Sequence, residues 1–136
     1  MQKNIMERVK KLKKVKRRSL GARNRARGNA YECKIAKELN ELGFNVVTSR
    51  SESKRMDDAK VDLIDLDNKL PCYLQLKKTT STPSYFSIRE STTVDKNKFC
   101  LLWNKQKNVN DRFMSVGEVV FVPKELFYEL IKHYTK

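Results

Sequence analysis

The chain has 136 residues, 39% of them hydrophobic, which is enough for one domain with a modest core, and a formal net charge of +14. No apolar run nears the roughly 20 residues of a membrane-spanning helix, and the basic N-terminus lacks the apolar stretch of a signal peptide. Cys33, Cys72 and Cys100 show neither CxxC spacing nor a disulfide framework, and His133 is the sole histidine; this excludes a structural zinc site and implies reduced thiols in a cytoplasmic compartment.

The charge is unevenly spread. Residues 1–27 hold 12 Lys or Arg against one acid, Glu7, whereas residues 28–136 hold 18 basic and 15 acidic side chains. The chain therefore divides into a basic arm, 1–27, and a nearly balanced domain, 28–136. An arm of this kind binds polyanions through counterion release, so nucleic acid is the leading partner. A membrane surface competes, because Ile5, Val9, Leu12 and Val15 fall near helical spacing, but the stripe has no Trp or Phe. The plainest alternative is a solubilising tail.

The segment 20–29, with Gly21 and Gly28 enclosing arginines, reads as a linker. From Ala30 the apolar positions Cys33, Ile35, Ala36, Leu39 and Leu42 follow a helical period, and Gly43 marks the stop. Residues 44–49 read as a strand and 49–60 as a polar loop. Residues 61–66 and 72–78 read as two strands of a hairpin turning at 67–69. Residues 79–90 read as irregular, 98–105 as a buried strand with Trp103 at its end, and 104–111 as a polar connection. A strand over 117–123 and an amphipathic helix after Pro123 close the chain. Five strands and flanking helices give an α/β (α+β) layer domain with one central mixed sheet.

Within "YLQLKK", residues 73–78, Gln75 and Lys77 share a face with Tyr73, while Leu74 and Leu76 point the other way. With Asn68–Lys69 as the hairpin loop, Asp62 lies across from Gln75. Centring the loop on Asp67–Asn68 puts Asp62 opposite Tyr73, one pair away on the same face. A third register places Asp62 and Gln75 on opposite faces. Asp62 offers a charged oxygen and Gln75 a neutral one to a hard cation such as Mg2+ or Mn2+. Lys77 can orient a water and stabilise charge on a phosphate. Glu32 is a candidate fourth member; its other reading is a favourable charge at a helix N-terminus. Asp57 and Asp58 either supplement the metal set or are solvated loop charges. Tyr85 and Phe86 either stack on bases or pack.

The stretch from Arg27 to Lys78 resembles the archaeal-type Holliday junction resolvases of the PD-(D/E)xK nuclease superfamily. The family pattern is met by Gly28, Glu32, Gly43-Phe44, Ser51 or Ser53, Asp62-Leu63 and Gln75-x-Lys77. The resemblance implies a restriction-endonuclease-like core with Glu32, Asp62, Gln75 and Lys77 as catalytic residues. Asp62, Gln75 and Glu32 would hold Mg2+ or Mn2+. It further implies a homodimer that nicks opposed strands of a four-way DNA junction and leaves 5′-phosphates. Arg23, Arg25, Arg27, Arg50, Ser51, Ser53 and Lys78 are the expected DNA contacts. Gln75 stands where the family has Glu, which lowers the expected metal affinity; some nucleases of the superfamily work with Gln here. The alternative is a non-catalytic nucleic-acid-binding or structural protein on an inactive nuclease fold. The small size suits a phage or plasmid gene, hence a prokaryotic or host cytoplasm.

Overall fold

The computed structural model describes residues 2–52 and 54–135, and from the side chains it omits 1–20, 51–53 and 136. By packing the chain divides into Met1–Ala30 and Tyr31–Lys136.

Residues 2–30 of the first unit fall within helix α1, Gln2–Glu41. The expected linker at 20–29 and helix start at Ala30 are therefore corrected. No proline occurs before Pro71, and Lys, Arg and Ala are strong helix formers. Gly21 and Gly28 cost about 1 kcal/mol each in a helix interior, too little to break the run. Gly43, at φ +103°, ends the helix where the spacing predicts, and Phe44 N–H closes it on Leu39 C=O at 3.2 Å.

The second unit is mixed α+β. After α1 come β1 (Val46–Thr48), the short helices α2 (Ser49–Glu52) and α3 (Lys54–Asp58), and β2 (Leu63–Asp65). Then come β3 (Tyr73–Thr79), α4 (Tyr85–Ser91), β4 (Phe99–Val109), β5 (Arg112–Phe121) and α5 (Lys124–Tyr134). All five expected strands form, but they are split between two sheets rather than joined in one. Antiparallel β1–β2 makes one sheet, and β3–β4–β5 the other, with β3 parallel to β4 and β5 antiparallel to it.

Three expectations are corrected by local chemistry. The loop 49–60 contains α2 and α3. The irregular stretch 79–90 contains most of α4, whose Tyr85 and Ile88 pack three residues apart on Phe99 and Val61. The polar connection 104–111 is the end of a hairpin: Asn110 and Asp111 take φ of 52° and 62°, the paired positive values of a type I′ turn. Val116 is the extra residue of a bulge between the Lys105–Gly117 and Gln106–Ser115 pairs.

The core lies on both faces of the three-stranded sheet. Leu74, Leu76 and Cys100 meet Tyr31, Ile35 and Ala36 of α1 and Leu126 of α5 on one face. Tyr73 and Phe99 meet Val61 and Tyr85 on the other. Trp103 does not end its strand; it is buried in the middle of β4, and its indole N–H donates to Thr79 Oγ1 at 3.0 Å. Among the described residues no helix is long and apolar enough to cross a membrane.

Candidate active site

The two elements read as a hairpin form no ladder, since β2 pairs with β1 and β3 with β4. They meet through Asp62, the residue before β2. Its N–H donates to Leu74 C=O at 2.9 Å, and its C=O accepts from Ser49 N–H at 2.8 Å. Its carboxylate Oδ2 accepts from Leu76 N–H at 2.7 Å. The backbone contact follows the third register, the one expected to separate Asp62 from Gln75. The carboxylate reaches β3 through Leu76 N–H; a strand N–H points within the sheet plane, so the bonded Oδ2 lies along the edge of β3 rather than above either face.

Gln75 sits between the two residues that hold Asp62. It is buried, and its Oε1 has no hydrogen-bond partner among the described residues. A buried carbonyl oxygen left without a donor costs about 1–3 kcal/mol. Such an oxygen suits a hard cation, which asks for oxygen donors and desolvates them. Ser49 Oγ is a second buried oxygen without a partner among the described residues, on the residue whose N–H bonds Asp62. Sequence reasoning missed Ser49. It ends a β-branched strand at the edge of a polar loop, and nothing in that pattern signals burial.

Asp62 is the electrostatic centre. Burial raises its pKa from 3.8 to about 6. The Leu76 N–H opposes the rise, the charge of Glu32 adds to it, Lys77 opposes it, and Asp57 adds a smaller share. Glu32 therefore acts on Asp62, and it lies deep within α1 rather than in a first turn, which removes the helix-terminus reading. Its carboxylate is buried and pairs with Arg50 Nη2 of α2 at 3.0 Å. Lys77 is half-buried on the face of Gln75, registered against Trp103 of β4.

Lys78 alternates to the opposite face, where its Nζ stands 5.7 Å from the centre of the Tyr31 ring. Arg23, Arg25 and Arg27 are exposed within Met1–Ala30. The side chain of Ser51 and the whole of Ser53 lie outside the described residues. Asp57 and Asp58 are exposed. Tyr85 packs, with its ring 6.2 Å from Phe99 and 5.8 Å from Phe121, while Phe86 is exposed.

Among the described residues no three His, Cys, Asp or Glu side chains come together as a metal-binding group. The oxygen-bearing members of the expected set are two carboxylates, Asp62 and Glu32, whose charges act on one another, and one amide oxygen, Gln75. No family model, curated protein or solved structure matches the chain.

Proposed function

We propose that this protein is a metal-dependent, structure-specific DNA endonuclease that hydrolyses phosphodiester bonds at four-way junctions. The observation that carries the reading is the buried Oε1 of Gln75, without a hydrogen-bond partner among the described residues, on the residue between the Leu74 and Leu76 backbones that hold the desolvated Asp62, with Lys77 two residues on along the same face. The order of Glu32 on a helix, Asp62 at the second strand and Gln75-x-Lys77 on the third is the order that the resemblance to junction resolvases supplied.

Asp62, Gln75 and Glu32 would hold Mg2+ or Mn2+. When bound, the cation supplies Lewis-acid polarisation of the phosphate and a lowered pKa for the attacking water. The hydrogen bond from Leu76 N–H fixes one carboxylate oxygen of Asp62, which aims the other. Lys77 orients the water and meets the negative charge that develops on the phosphate. The basic residues of 1–27 contribute sequence-independent affinity for the DNA backbone.

A homodimer accords with the exposed apolar side chains of Phe113, Val116 and Val119 on the edge strand β5 and of Phe127 and Ile131 on α5. Sedimentation equilibrium checks it: Val119→Lys should turn a dimer into a monomer, and a monomeric parent chain refutes it.

The decisive experiment is cleavage of a labelled four-way junction in Mg2+, Mn2+ or EDTA by the parent chain, Asp62→Asn and Lys77→Ala. Paired nicks near the branch that need metal and vanish in both variants are the expected result. Tight junction binding without cleavage in either metal would instead favour a DNA-binding protein on an inactive nuclease fold, for which the neutral Gln75 is the motivating residue.

A further inference from the structure

Arg50 is the basic residue paired with a member of the expected site. Its guanidinium lies 3.0 Å from Glu32, and the two partners differ in freedom. Glu32 is 9% exposed and fixed by the body of α1. Arg50 is 42% exposed on the four-residue helix α2. If the pair opens, Arg50 is the member that moves.

The consequence for the oxygen set is specific. Gln75 is neutral, so only Asp62 and Glu32 bring charge to a cation, and Glu32 is held by Arg50. Asp62 forms no ion pair among the described residues. A divalent ion entering the free protein would therefore meet one uncommitted carboxylate and a neutral amide, a weak site for a hard cation. A guanidinium is also the side chain best shaped for a phosphodiester, whose oxygens it can take in a two-pronged bond.

We propose that Arg50 is a substrate-operated latch on Glu32. In the free protein it withholds Glu32 from the metal; a DNA backbone phosphate draws the guanidinium away and releases the carboxylate to complete the site. No charge is stranded in the exchange, because Arg50 trades a carboxylate for a phosphate and Glu32 trades Arg50 for the cation. DNA and metal binding then reinforce each other, and metal loads in strength after DNA. This rests on the metal-site reading above and adds a regulation to it.

The test does not use cleavage. Mn2+ binding to DNA-free protein is followed by the loss of the free-ion EPR signal, for the parent chain, Arg50→Ala, Glu32→Gln and the double variant, each with and without Asp62→Asn. Arg50→Gln serves as a second variant that keeps a hydrogen-bond donor, and melting curves confirm folding. Opening a half-exposed ion pair should tighten Mn2+ binding about fivefold in both Arg50 variants. The gain should vanish when Glu32 is already Gln, because no carboxylate is left to release. In EDTA, junction affinity should rise on Glu32→Gln by more in the parent than in Arg50→Ala, since only in the parent does an arginine become available. Mn2+ affinity that depends on Asp62 but is unchanged or weakened by both Arg50 variants overturns the latch and leaves the metal site standing. No Asp62-dependent Mn2+ binding in any variant overturns both.

Discussion

Asp62→Asn removes a charge that folding places in a poorly solvated position. Burial lifts this carboxyl from 3.8 to about 6, with Glu32 adding to the rise and the Leu76 N–H and Lys77 opposing it. A shift of about two units corresponds to about 3 kcal/mol between protonation states. Partial solvent access reduces the stability effect to roughly 2 kcal/mol. The sign follows from proton counting. Between pH 3.8 and about 6 the folded chain holds more of this proton than the unfolded chain, so stability falls as pH rises through that window and stays low above it. Asn keeps an oxygen to accept from Leu76 N–H and carries no charge. In EDTA at pH 8, Asp62→Asn should therefore melt about 5–10 °C above the parent chain. At pH 4 the gap should close to within about 2 °C, since the parent carboxyl is then protonated on folding. Melting curves by circular dichroism at both pH values read this directly. A variant that melts below the parent at pH 8, or a gap that does not change with pH, would refute the desolvation argument. Mn2+ at pH 8 should raise the parent's melting temperature and leave the variant's in place, because the ion binds the folded site only.

Gln75→Glu should tighten Mn2+ binding about tenfold by restoring a charged ligand, and lower the melting temperature in EDTA by burying another charge next to Asp62; unchanged affinity in the EPR titration would remove Gln75 from the ligand set. Replacing both Arg23 and Arg25 by Gln should reduce the slope of log affinity against log salt on duplex DNA by about 2. An unchanged slope in fluorescence anisotropy would show that these side chains make no phosphate contact.

The division between a basic arm and a balanced domain was legible in composition alone, because charge needs no fold to be counted. Local patterns also placed the Gly43 stop, five strands and the closing helix, since a period of 3.6 or 2 and a helix terminator are properties of neighbouring residues. They put Leu74 and Leu76 in the core and turned Gln75 and Lys77 to the other face for the same reason. What lay beyond local pattern was partnership. That β2 pairs with β1 and β3 with β4 depends on which edges meet after collapse, and a hairpin of two strong strands predicts the wrong neighbour. The continuation of α1 through two glycines turned on the sum of many small propensities rather than on the two conspicuous residues. Only the tertiary structure sent the Asp62 carboxylate into the plane of β3, left Gln75 Oε1 and Ser49 Oγ buried without donors, and put Arg50 against Glu32. Burial and desolvation are set by everything that surrounds a side chain, and residues far apart in the chain supply most of those surroundings.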